Sequence, residues 1–165
     1  MKWAKAAGVG LIAALVMFII MFVGIEVTGI APFNMPPSQA FLQSMGIPPK
    51  PLGLIAHFGY GAFFSVVLVW IFRNDTTLGK GTGLSIVLWL GMMLGHSPLI
   101  GWGVFGMNAG NTASGVPVLE SMPKYIVITL VLHLVYGAII GGLNPLWVKF
   151  EEPEPDIGGV NEESE

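Results

Sequence analysis

Two hexapeptides hold most of the chemistry open to this chain. "HFGYGA" begins at His57 and "HLVYGA" begins at His133, 76 residues later, and these are two of only three histidines. Residues at i, i+3, i+4 and i+7 share one face of a helix. That spacing groups His57, Tyr60, Gly61 and Phe64 on one helix, and His133, Tyr136, Gly137 and Ile140 on another. With a two-fold relation between the helices, His57 and His133 project toward a common centre. Haem b suits such a centre, with two axial imidazoles and with Gly61 and Gly137 leaving room beside the ring. A transition metal held by His57, His96 and His133 is a second chemistry, because neutral imidazole binds Zn or Cu well. Quinone binding, with His and Tyr donating to carbonyl oxygens, is a third. The plainer use is structural: buried His and Tyr hydrogen-bond across helices as glue, contributing about 1 kcal/mol or less. The structural use is favoured.

Little else in the chain is chemically equipped. There are no cysteines, which excludes disulfides and thiolate metal sites. No nucleophile stands with a base, and there is no phosphate loop and no H-E-x-x-H site. The nine methionines are scattered without M-x-x-M clustering, so they read as packing residues rather than as a copper conduit. Glu26 and Glu120 read as solvated interfacial carboxylates. The balance leans away from an enzyme, and nothing points to nucleic acid.

The elements that must position the histidines follow from composition. Hydrophobic residues make up 53% of the chain and charged residues 10%, where a soluble domain carries about a quarter charged. Lipid is therefore the expected solvent. Crossing a hydrocarbon core of about 30 Å takes about 20 apolar residues in a helix. Four stretches qualify, at about 8–25, 52–72, 81–101 and 125–148. Residues 1–149 thus form an all-α, four-helix transmembrane bundle. Residues 150–165 carry seven acids and no base; removing them from the net charge of −3 leaves the first 149 residues at +4. That acidic tail has too little apolar content to offset its ordering entropy and is expected to be disordered. Lys2, Lys5, Arg73, Lys80 and Lys149 fall on one side of the bundle, and Lys50 and Lys124 on the other. Positive charge stays cytoplasmic, so both termini are expected inside. Trp3, Trp70 and Trp147 then belong to the inner aromatic belt, with Trp102 and Tyr125 in the outer one. All three histidines fall in the outer half of the bilayer, within about 5 Å of one another in depth at 1.5 Å per residue.

The two outer connections are long. "EVTGIAPFNMPPSQAFLQSMGIPPKP" holds a short helix that Ser38 caps and Gly46 ends, lying along the interface or covering the bundle. "GWGVFGMNAGNTASGVPVLESMPK" reads as irregular loop. Pro98 in "HSP" bends the third helix, and Asn144-Pro145 marks a kink or stop in the fourth. "GVGL" at Gly8 and "GTGL" at Gly81 lie 73 residues apart, which together with the hexapeptides reads as two tandem helical hairpins. Small residues predict close helix contacts: Gly61 with Ser65, Gly91 with Gly95, and Gly137 with Gly141. These faces serve either the bundle itself or partners, whether self-association or other membrane subunits.

The Gly-rich first helix, "PPSQAFLQSMG", "HFGYG", "GLSIVLWLGMML" and "HLVYG" together resemble a family of small, uncharacterised prokaryotic four-helix membrane proteins, over residues of about 8–142. The resemblance implies a fold and no reaction. The expectation is a multi-pass protein of a prokaryotic cytoplasmic membrane, acting first as a non-catalytic accessory or scaffold subunit. A haem, metal or quinone site at His57 and His133 comes second, and small-solute permeation comes last.

Overall fold

The computed structural model describes residues 1–111 and 115–151, and among them all regular structure is helical. Helix α1 (Lys2–Phe22) runs on into a π turn (Val23–Val27). A short α2 (Pro37–Ser44) precedes α3 (Leu52–Phe72). Helix α4 (Leu78–Gly91) widens into a π turn (Met92–His96) and ends in a single turn, α5 (Ser97–Leu99). The last helix is α6 (Met122–Trp147). Four helical stretches are long and apolar enough to cross a membrane: Lys2–Val27, Leu52–Asp75, Leu78–Leu99 and Met122–Trp147. The expected tail from 152 onward lies outside the described residues.

Residue size is distributed as a lipid-facing protein requires. On α1, Leu11, Leu15, Ile19 and Phe22 point outward and are 44%, 47%, 52% and 50% exposed. Ala6, Val9 and Ala13 on the inner face are fully buried. Water would drive the large side chains inward; in lipid, close packing of small ones holds helices together.

That packing links the helices in the spatial order α3, α1, α6, α4, with α3 and α4 scarcely touching. The two outer pairs are built alike. A Cβ on Gly10 of α1 would collide with the Gly61 carbonyl and Ser65 of α3, and one on Gly61 would collide with Ala14. A Cβ on Gly81 of α4 would collide with the Gly137 carbonyl and Gly141 of α6, and one on Gly137 would collide with Ser85. Gly10 and Ala14 thus occupy the places of Gly81 and Ser85, an offset of 71 residues instead of 73. Gly8, which the sequence pairs with Gly81, faces open space.

Buried polar groups tie the same helices. Ser65 Oγ donates to the Ala6 carbonyl at 2.7 Å and accepts from Asn144 Nδ2 at 2.9 Å. Asn144 Nδ2 also reaches the Ile140 carbonyl one turn back, at 2.8 Å. Helix α6 consequently runs through Pro145 to Trp147 where the sequence allowed a stop. In α4–α5, Pro98 contributes no donor, and the helix meets that loss with the π turn that ends at His96.

The two long connections fold over one end of the bundle. The Glu120 amide donates to the Pro32 carbonyl, and Phe33 pairs with Leu119 across an isolated bridge. Trp102 stacks on Phe33 and meets Tyr125 edge-on, while its Nε1 donates to the Pro117 carbonyl at 2.8 Å. Trp102 and Tyr125 are 1% and 0% exposed, so they form the core of this cap and are not interfacial anchors. Helix α2 belongs to the same cap through Ala40 and Phe41. It starts at Pro37, not after a Ser38 cap, and Gly46 terminates it at φ +72° as expected.

At the opposite end Phe150 packs against the bundle. Its ring lies beneath Lys2 Nζ and the Arg73 guanidinium and meets Trp3 edge-on. Its backbone is bonded in both directions to the Asn74 side-chain amide.

Candidate functional site

A cavity of about 530 Å³ opens among α1, α3, α4 and α6, beneath the start of α2. All three histidines line it, together with Tyr60, Gly61 and Tyr136; Gly137 does not, being occupied with α4. Its volume falls in the range of small-molecule sites, about 300–1,000 Å³. The remaining wall is almost wholly apolar, with Met17, Met21, Phe64, Leu88 and Leu132 prominent. Phe33, Pro37 and Ser38 close it toward the cap. Its side between α3 and α4 is open: lining residues Tyr60 and Val87 there are 58% and 63% exposed. The mouth therefore faces sideways out of the bundle, along the surface that carries exposed apolar side chains.

Each imidazole is placed by a different device. His57 Nε2 donates to the Ala14 carbonyl of α1 at 2.9 Å. The close approach of Gly10 to Gly61 brings that carbonyl within reach. His133 Nδ1 instead donates to the Thr129 carbonyl on its own helix at 2.8 Å. His96 ends the π turn, with its ring 5.1 Å from that of Phe41, and its buried Nδ1 has no hydrogen-bond partner among the described residues. The tyrosines of the two hexapeptides differ as well. Tyr136 is buried and donates to the Gly61 carbonyl at 2.6 Å, whereas Tyr60 stands at the mouth. The two copies therefore meet at one site without performing equivalent work in it.

No family model, curated protein or solved structure matches the chain. The geometry alone must therefore say what this site can hold. Among the described residues no three His, Cys, Asp or Glu side chains are grouped to hold a metal ion. A bis-histidine haem is constrained too, because the His57 Nε2 is engaged by Ala14 and leaves only Nδ1, the nitrogen crowded by its own Cβ. What the cavity offers is an apolar enclosure with a few polar atoms, the usual form of an organic-ligand site.

Sequence reasoning picked out the three histidines and missed what supports them. Thr129 sits behind His133: its Oγ1 donates to the Tyr125 carbonyl at 2.6 Å and accepts from Trp89 Nε1 at 3.1 Å. The Tyr125 hydroxyl is in turn hydrogen-bonded to Ser97, the residue after His96. This chain of polar contacts runs from α4 through α6 to the backs of two cavity histidines. Its signal was available: a lone Thr or Ser in an apolar helix must find a partner inside the bundle.

Gly137 and Gly141, which the sequence offered either to the bundle or to partners, pack against Gly81, Ser85 and Leu78 of the same chain. Gly91 and Gly95 do face open space.

Proposed function

We propose that this is a four-pass protein of a prokaryotic cytoplasmic membrane that binds a lipophilic small molecule drawn sideways from the bilayer. We further propose that it consists of two tandem hairpins with both termini cytoplasmic. The observation that carries the binding reading is the cavity: about 530 Å³, walled by apolar side chains, provided with three imidazoles, and open between α3 and α4. A ligand dissolved in lipid reaches that mouth without passing through water. Lys2, Arg73 and Phe150 gathered at the end opposite the cap support the orientation, since positive charge is retained in the cytoplasm. The matched contacts of Gly10 with Gly61 and Gly81 with Gly137 support the tandem hairpins.

The deciding experiment uses Gly91→Leu. Gly91 lines the cavity, and a Cβ there meets nothing within 4 Å, so leucine is the substitution expected to fill space at the mouth while sparing the backbone contacts that hold the bundle. Mass spectrometry of organic extracts from purified protein is expected to show a lipophile in near-stoichiometric amount with the parent protein and not with Gly91→Leu. Identical extracts would sink the reading. Orientation is tested separately, because a chain without cysteines accepts single reporters. In intact cells an impermeant thiol reagent is expected to label Met107→Cys and to spare Asp75→Cys.

A second reading, the accessory subunit, is favoured by Gly95 and its neighbour Gly91, a small-residue face that none of the described residues covers. Recovery of a larger complex in mild detergent, lost on Gly95→Leu, is its expected result.

A further inference from the structure

Resting on that reading, we infer that the cavity selects a lipophile that gives hydrogen bonds: an apolar body bearing hydroxyl groups, in preference to one bearing only carbonyl or ether oxygens.

The argument starts from what the two anchored imidazoles have already committed. A backbone carbonyl has no hydrogen to give, so the ring nitrogen bonded to it must carry one. His57 is thereby fixed with its hydrogen on Nε2, toward Ala14, and His133 with its hydrogen on Nδ1, toward Thr129. In each neutral ring the remaining nitrogen then holds a lone pair and accepts. These are Nδ1 of His57 and Nε2 of His133, and among the described residues neither has a partner. Opposite tautomers thus produce the same offer, an acceptor, on a ring that lines the cavity.

Tyr136, the one buried hydroxyl of the hexapeptides, has its hydrogen on Gly61 and none left to give. Among the described residues the buried His96 Nδ1 has no partner, so that ring is not committed and takes either role. The Tyr60 and Ser38 hydroxyls, which also line the cavity, can likewise give or accept, so with His96 they favour neither class of ligand. At the two committed imidazoles, however, a quinone or ketone sets oxygen lone pairs against nitrogen lone pairs, and those contacts stay unmade in an apolar enclosure. A hydroquinone, phenol or long-chain alcohol supplies the missing hydrogen and leaves its hydrocarbon against Met17, Phe64 and Leu88. This reverses the polarity expected from sequence, in which His and Tyr donate to carbonyl oxygens.

The test is a ligand series on the full chain in lipid nanodiscs, kept anaerobic and read by calorimetry. The probes are decylhydroquinone, its dimethyl ether, the corresponding decylquinone, and decanol with its methyl ether. The expected result is that decylhydroquinone binds about tenfold or more tightly than its ether or the quinone, the scale set by a hydrogen bond gained or left unmade in a buried site. Decanol preferred over its ether to a similar degree extends the class to simple alcohols; no such preference narrows it to phenols. His133→Phe is expected to reduce the hydroxyl preference while leaving ether affinity within about threefold, and the comparison on unaltered protein stands even if that variant fails to fold. Equal affinity across the hydroquinone series, or preference for the quinone, overturns the inference but leaves a lipophile site intact. No binding of any probe, with no lipophile in the extracts, overturns both.

Discussion

Tyr136 of the second hexapeptide donates its hydroxyl hydrogen to the backbone carbonyl of Gly61 in the first, at 2.6 Å. The repeated motif is thus bonded to its own copy, but in one direction only. Tyr60 holds the matching position in sequence and stands exposed at the mouth of the cavity. The asymmetry predicts unequal costs. Tyr136→Phe is expected to destabilise the protein by about 1 kcal/mol, the scale of an interhelical hydrogen bond in a membrane. Tyr60→Phe is expected to lie within about 0.5 kcal/mol of the parent. Reversible unfolding in mixed detergent measures both, and equal losses would show that the Tyr136 bond carries no particular weight.

The glycine register gives a sharper contrast. Gly81 and Gly137 are pressed against each other's backbone, so a methyl group at either collides with atoms that cannot move aside cheaply. Gly81→Ala is expected to cost about 2 kcal/mol or more, in the range of overpacking. Gly83→Ala, two residues on and facing open space, is expected to be neutral or slightly stabilising because alanine favours the helix. The first hairpin should repeat this, with Gly10→Ala damaging and Gly8→Ala tolerated. Thermal denaturation of the four variants checks the pattern, and damage at Gly8 rather than Gly10 would restore the 73-residue offset.

This pair also shows how far the sequence could be read. Four spans were legible because apolar runs of membrane length have few other uses, and the span at 52–72 coincides with α3. Within "GVGL" and "GTGL", however, nothing in composition says which glycine turns inward. The same limit applies to Trp102 and Tyr125. Hydropathy assigns aromatic residues near a span end to the interface, but the fold-over of the two long connections buries them. Spacing brought His57, His96 and His133 to a shared level. It could not reveal that Ala14 and Thr129 hold two of the rings by opposite nitrogens, because that depends on which carbonyl comes within reach.

Ser65 and Asn144 form a buried link between side chains of α3 and α6. Both are essentially buried, and among the described residues Asn144 Oδ1 has no partner. A double-mutant cycle with Ser65→Ala and Asn144→Ala should give a coupling energy of about 0.5–1.5 kcal/mol. Additive losses would mean that each residue serves its own backbone contact, Ala6 for Ser65 and Ile140 for Asn144, and that the link between them contributes nothing.

At the end of the bundle opposite the cap, Phe150 joins the segment after α6 to α1 and α3. Phe150 accepts two cations on its faces, from Lys2 and Arg73, touches Trp3, and bonds Asn74 through its backbone. Contacts of this kind contribute about 0.5–1 kcal/mol each at exposed sites, so together they hold the segment that follows α6 against the bundle. Phe150→Ala removes the ring and leaves Asn74 still able to bond the backbone. The expected outcome is trypsin cleavage after Lys149 at least several-fold faster than in the parent, at unchanged midpoint of global unfolding. Asn74→Ala should give a smaller increase, because the ring and its two cations remain. If Asn74→Ala opens the site as much as Phe150→Ala, the backbone bonds hold this end and the cation–aromatic contacts do not.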